Sequence, residues 1–259
     1  MNKKLENFTT VDSVYGQFIV NRHCQYQAEA LIKTGKTHIE VELNNMRIIL
    51  QTLPNNCVVI DGGANIGFVA VPVAQFLQPK NGIVYAFEPQ RMIFNALAGT
   101  IALNEINNLF LEKKALGDKK GFTFVPPVDY GKPADFGTVE LGDNEQGEAV
   151  EIITVDSLNL ERLDFFKLDV EGYEVLALQG AKKTIKQFEP WCWVEYWKIG
   201  HDSIMECFKG LDYKFYLMGT LNMLCAPVTK LDSSGLSIAN EITLESQQTL
   251  TEQAEMDTE

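Results

Sequence analysis

The sequence predicts an α/β fold, built as a mostly parallel sheet with helices on both faces. Three observations predict it. Between Cys57 and Pro227, short apolar strands alternate with helical patterns, as β-α-β crossovers require. An apolar run, Val58 to Ile60, ends on Asp61 and turns at once into a glycine-rich loop, VVIDGGANIG. A later strand, VYAFEP, also ends on an acid, Glu88. Ligands of such sheets sit beyond the carboxyl ends of the strands, so both acids fall where a ligand would be held.

Residues 1–56 read as a cap: a short strand, Gln17 to Val20, then helices over roughly Gln25 to Lys33 and Ile39 to Leu53. Ile39, Val41, Leu43, Met46, Ile49, Leu50 and Leu53 fit one buried helical face imperfectly, and the alternation at 39, 41 and 43 also allows a hairpin. Residues 57–227 form the main domain. Strands are expected at Val58–Ile60, Ile83–Phe87, Leu109–Leu116, Gly121–Val125, Val150–Val155, Phe165–Leu168, Trp191–Val194, Phe215–Met218 and Met223–Cys225. Helices are expected at Phe68–Leu77, Arg91–Leu103, Val175–Phe188 and Ser203–Lys209. Residues 228–259 carry Lys230 against seven acids, have no aromatic after Pro227, and read as a disordered acidic tail.

The 259 residues are 46% hydrophobic, a globular composition long enough for a large core. The formal net charge of −13 repels phosphate backbones, so nucleic acid is not expected as a general partner. Five scattered cysteines without CxxC spacing argue against zinc and disulfides, and for a reducing cytoplasm. MNKKLENFTT has no apolar run behind its lysines, so no signal peptide is expected. No run reaches the ~18 apolar residues of a membrane span.

The loop glycines, 62, 63 and 67, miss the GxGxxG spacing of dinucleotide sites. A carboxylate at 61 also ill suits a diphosphate. It suits S-adenosyl-L-methionine, which carries a sulfonium and an ammonium. Glu88 stands 27 residues on, one strand-helix-strand unit, where an acid can accept both ribose hydroxyls. In FFKLDVEGYE a strand ends on Asp169, followed by Glu171 and Glu174; Glu195 ends WCWVE. Asp169 or Glu171, with Glu195 supporting, could take a proton from an acceptor hydroxyl. The same acids could instead hold a divalent cation, pair with Lys167 or Lys198, or accept backbone amides at the next helix. His201 could reach the site as a base.

Four blocks in order, VVIDGGANIG (58–67), VYAFEP (84–89), KALGD (114–118) and FKLDVEGYEVLALQGA (166–181), followed by the strand ending in Glu195, resemble the FkbM-type S-adenosylmethionine-dependent methyltransferases. The resemblance covers about 57–196. It implies a class I methyltransferase fold, Rossmann-like, with seven strands, the last antiparallel. It implies methyl transfer to a hydroxyl oxygen, often on a sugar or polyketide-like product, so a small-molecule or glycan substrate is expected and no metal. By position in the motifs, Asp61, Gly62, Gly63, Asn65 and Gly67 match the cofactor loop, and Glu88 the ribose acid. Ala115, Leu116 and Asp118 match the adenine wall, and Asp169 the acid near the methyl group. Two departures stand out: DGGAN replaces the commoner DVGAN, with Gly62 expected to add only flexibility, and Tyr196 replaces a frequent His. The alternatives are a non-catalytic scaffold that keeps the fold, and an NAD-dependent oxidoreductase.

Overall fold

The computed structural model describes residues 7–24, 27–142 and 145–243. A hairpin, β1 (Phe8–Ser13) and β2 (Gly16–Asn21), leads to helices α1 (Gln27–Thr34) and α2 (Glu40–Thr52). Then come β3 (Val58–Gly62), α3 (Ala70–Leu77), β4 (Ile83–Phe87), α4 (Arg91–Leu103) and β5 (Leu109–Glu112). An added three-stranded sheet follows from β6 (Ala115–Leu116), β7 (Gly121–Val125) and β8 (Glu148–Ile153). The chain returns through β9 (Phe165–Leu168), α5 (Glu174–Gln179), α6 (Lys182–Phe188), β10 (Trp191–Glu195) and α7 (His201–Cys207). It ends in β11 (Tyr213–Met218), β12 (Asn222–Pro227), α8 (Val228–Ser234) and β13 (Glu241–Ile242).

The main sheet runs β13-β11-β12-β10-β9-β3-β4-β5. From β5 to β10 every pairing is parallel; β12 is antiparallel to both β10 and β11. This is the class I methyltransferase arrangement, with one two-residue edge strand, β13, beyond the seven expected. Alternation along the central strands divides the core. Val59, Val84, Phe165, Trp191 and Trp193 face one layer with α2, α3 and α4. Ile60, Phe87, Phe166, Leu168 and Val194 face the other, with α5, α6 and α7.

Four expectations need correction. The strand over Leu109–Leu116 is two strands, β5 and β6, which enter different sheets. The helix over Val175–Phe188 breaks at Gly180, whose Cβ position is 1.9 Å from the Gly117 carbonyl oxygen; only a glycine lets β6's exit pass there. The lone strand expected at Gln17–Val20 is one arm of the hairpin β1-β2, while the helix expected over Ile39–Leu53 stands as α2. Residues 228–243, read as part of a disordered tail, fold. Leu231, Leu236 and Ile238 join the core, and Ile242 pairs with Phe215. Average composition hid these few apolar anchors. Residues 244–259 of that tail lie outside the described residues.

At the amino end of the sheet Asp164 joins three central strands. Its carboxylate accepts from Val58 N (2.8 Å) and from Arg162 at two nitrogens (2.9 Å each). Its backbone bonds Val58 O and Trp191 N. Asp164→Ala leaves the part-buried Val58 amide without its acceptor and Arg162 with only Asn55 O, and should cost about 2 kcal/mol in urea unfolding. A loss under about 0.5 kcal/mol would contradict this stitching role.

Candidate functional site

The carboxyl edge of β3, β4, β9 and β10 opens into a cavity of about 670 Å³. Its first wall is the loop after β3. Gly63 adopts φ +74°, and a Cβ there would lie 1.7 Å from the Asp169 carbonyl oxygen. No other residue fits. Gly67, at φ +93°, is closed in by Leu97, 2.5 Å from its Cβ position. Gly62 is more than a source of flexibility, because its Cβ would meet Leu168 at 2.8 Å and Leu116 at 3.0 Å. The amides of Gly63 and Ala64 donate to Phe87 O (3.0 and 2.9 Å).

Glu88, at the end of β4, clamps this loop. Its Oε2 accepts from Asn65 N (2.9 Å) and its Oε1 from Gln90 N (2.8 Å). Burial pushes its pKa up to about 7, against the pull of those two amides. A carboxylate has about four acceptor sites, so two remain for a ligand. Asn65, Glu88, Lys114, Ala115 and Leu116 line this half of the cavity, closed over by Gly137 to Val139 and Leu141.

The other half is acidic. Asp169, Glu171 and Glu195 come together, with one oxygen from each within 4.8 Å of the others. The sequence expected no metal here, although that spacing suits a shared cation. Lys198 partly offsets this charge, 2.7 Å from Glu171 Oε2, and is shared with Glu140 at 2.6 Å. Glu174 lies beneath, accepting from the amides of Val170 (2.9 Å) and Gly172 (3.1 and 3.3 Å). Pairing with lysine and capping of amides, both weighed as alternatives for these acids, thus occur in this cluster. Burial, then Asp169 and Glu171, raise Glu195 to about 8.

Four of the expected cofactor contacts, Asp61, Gly62, Gly67 and Asp118, are absent from the walls. Asp118 is exposed and outside the cavity. Asp61 is 1% exposed and points into the protein, 3.0 Å from the equally buried Lys167 ammonium. Parallel pairing puts the two residues side by side, Asp61 on β3 opposite Lys167 on β9. The acid in the loop therefore answers a cation of the chain itself. Gly62 and Gly67 likewise shape the loop from behind. His201 starts α7 against Asp202 (3.0 Å), off the cavity wall.

Sequence reasoning missed His38 and Glu42, which line the acidic half from the cap. Glu42 Oε1 accepts from Trp193 Nε1 (3.0 Å), and burial raises the acid to about 7. An acid beside the buried Leu43, Met46 and Ile49 of α2 was the available signal. His38 lies edge-on to Phe68 (5.7 Å). Although it is accessible from the cavity, the surrounding protein lowers its pKa, against Asp135 and Asp169.

These shifts fix a pH dependence. Glu42, Glu88 and Glu195 lie above their ordinary 4.5 when folded. Each adds stability at low pH that is lost as pH rises through the folded value. His38, lowered from 6.5, works the other way below 6.5. Glu42 and Glu195 are partly solvated and count for less. The unliganded protein should lose about 1–2 kcal/mol between pH 6.5 and 8. Thermal midpoints across that window, with Glu195→Gln flattening the slope, check this; a rising midpoint contradicts it.

The sequence from 61 to 215 matches the family model described as the methyltransferase FkbM domain. A curated relative is the tRNA(Phe) (4-demethylwyosine(37)-C(7)) aminocarboxypropyltransferase of Methanocaldococcus jannaschii, 28% identical over 148 residues. The match takes in 53% of this chain and 57% of that protein, so the chain spans little more than half of that relative's length. Among solved structures, a methyltransferase FkbM from Methylobacillus flagellatus KT overlaps 67% of this chain and 44% of its own, at 15% identity and a TM-score of 0.49. M. jannaschii TYW2 in complex with AdoMet overlaps 85% and 84%, at 17% identity and 0.42. The family match covers more than half of the sequence and agrees with the loop, the two strand-end acids and the sheet order: the chain belongs to the FkbM methyltransferase domain family.

Proposed function

We propose that this chain is an S-adenosylmethionine-dependent O-methyltransferase acting on a hydroxyl of a sugar, glycan or related hydroxylated small molecule. One observation carries the reading. A single cavity joins a glycine-tight loop and a ribose-type acid to a wall of carboxylates suited to holding and deprotonating a hydroxyl.

S-Adenosylmethionine supplies an activated methyl group on a sulfonium. Gly63 and Asn65 approach its methionine part, Glu88 accepts from the ribose hydroxyls, and Ala115 and Leu116 wall the adenine. Asp118 is withdrawn from that set because it faces solvent. Asp169 and Glu195 orient the acceptor hydroxyl and take its proton; of the two, burial raises Glu195 to about 8, a value suited to proton exchange with a hydroxyl. Glu171 is held by Lys198 and positions the pair. Transfer is expected to survive a chelator; activity lost to a chelator and restored by a divalent cation would assign Asp169, Glu171 and Glu195 to a metal instead.

The relative's name concerns tRNA and an aminocarboxypropyl group. The net charge of −13 disfavours a phosphate backbone here. Labels on the methyl and on the carboxypropyl carbons of S-adenosylmethionine separate the two transfers, with a panel of hydroxylated acceptors and tRNA offered side by side. The expected outcome is methyl label on a hydroxylated small molecule. Glu88→Ala should weaken S-adenosylhomocysteine binding at least tenfold, or about 1.4 kcal/mol, with NADH giving no saturable binding. Label appearing only from the carboxypropyl carbons, or only on tRNA, would sink the proposal.

A further inference from the structure

The loop after β3 is held from two sides. Its amides are taken by β4 and its neighbour: Gly63 and Ala64 donate to Phe87, and Asn65 to Glu88. Its carbonyls are taken by β9, where one side chain does most of the holding. Lys167 Nζ donates to Gly63 O at 3.0 Å and reaches Gly62 O at 3.4 Å. It also lies 3.0 Å from Asp61 Oδ1 and 3.6 Å from Asp169 Oδ2.

Resting on the cofactor reading above, we infer that Lys167 is the positioning residue of the S-adenosyl site. Its ammonium, anchored by Asp61, fixes the Gly62-Gly63 carbonyls against Asp169 and so sets the affinity for the ligand.

Energetics favour a role in placement over one in stability. The lysine and aspartate side chains are 4% and 1% exposed. Burying two charges costs several kcal/mol per ion, and apolar residues of similar volume commonly do as well or better. The neighbouring register pairs, Ile60 with Phe166 and Gly62 with Leu168, are of that apolar kind. The attraction that offsets this burial is chiefly that of Lys167 Nζ for Asp61 Oδ1, 3.0 Å apart.

What the pair does provide is a compact donor with three N–H groups between two strand ends. A neutral side chain would release the carbonyls and leave Asp61 and Asp169 facing each other uncompensated. The tolerance there is small, since the Gly63 Cβ position is already 1.7 Å from the Asp169 carbonyl oxygen. Asp61 neutralises the lysine, so the charge turned toward the cavity is that of Asp169, which suits a cationic ligand. Lys167 itself touches no ligand, being outside the cavity wall.

The test compares the parent chain with Lys167→Met and with Asp61→Leu/Lys167→Met. S-Adenosylhomocysteine affinity is read by calorimetry, thermal midpoints by scanning, and amide exchange residue by residue. Both variants should bind at least tenfold more weakly. Exchange should quicken at 63–66 while β4 and β5 keep parent rates, and the double variant should melt near the parent. Affinity of the double variant within twofold of the parent overturns the inference. So does a double variant that cannot fold, because the pair would then serve folding. A parent that binds no S-adenosylhomocysteine removes the cofactor reading and this inference with it.

Discussion

A lysine ammonium with almost no exposed surface sits between the carboxyl ends of β3 and β9, 3.0 Å from a carboxylate buried more deeply still. Around it the two central strands end in step. Asp169 N donates to Gly62 O, and Gly63 passes so close to Asp169 that only a hydrogen fits at its Cα. From the other side Glu88 takes the amide of Asn65. The glycine loop is thus a rigid lip at the sheet's edge, and both halves of the cavity are measured from it. Preorganisation of this kind is what lets a site bind without paying for ordering at the moment of binding.

The family match takes in residues from both halves of the cavity. The loop, Glu88, the Ala115-Leu116 wall and the three carboxylates lie within residues 61–215. His38 and Glu42 come from before that span, and Gly219 to Asn222, in the turn between β11 and β12, from after it. The shared part fits the shared cofactor. The Glu42-Trp193 hydrogen bond ties the cap to β10 at the cavity's edge.

The sheet was legible because its signal is periodic. Strand-end acids and apolar runs placed β3, β4 and β9 within two residues of their observed bounds. Breaks within periodic runs were not legible. The split at Gly180 depends on a carbonyl from a distant strand, and the fold of 228–243 on three apolar anchors in an acidic stretch. Asp61 was read as answering a cationic ligand; register across β3 and β9 sets it beside Lys167, a cation no strand-end motif announces. His38 and Glu42 carry no motif, and reach the cavity only through packing of the cap.

A crystal structure with S-adenosylhomocysteine tests the central claim most directly. The ribose hydroxyls should lie within hydrogen-bonding distance of Glu88, the adenine against Ala115 and Leu116, and the sulfur on the side of Asp169. Asp61 should remain on Lys167. Density for the ligand's ammonium on Asp61, with the lysine displaced, would contradict the account of the loop; density away from this cavity would contradict the site.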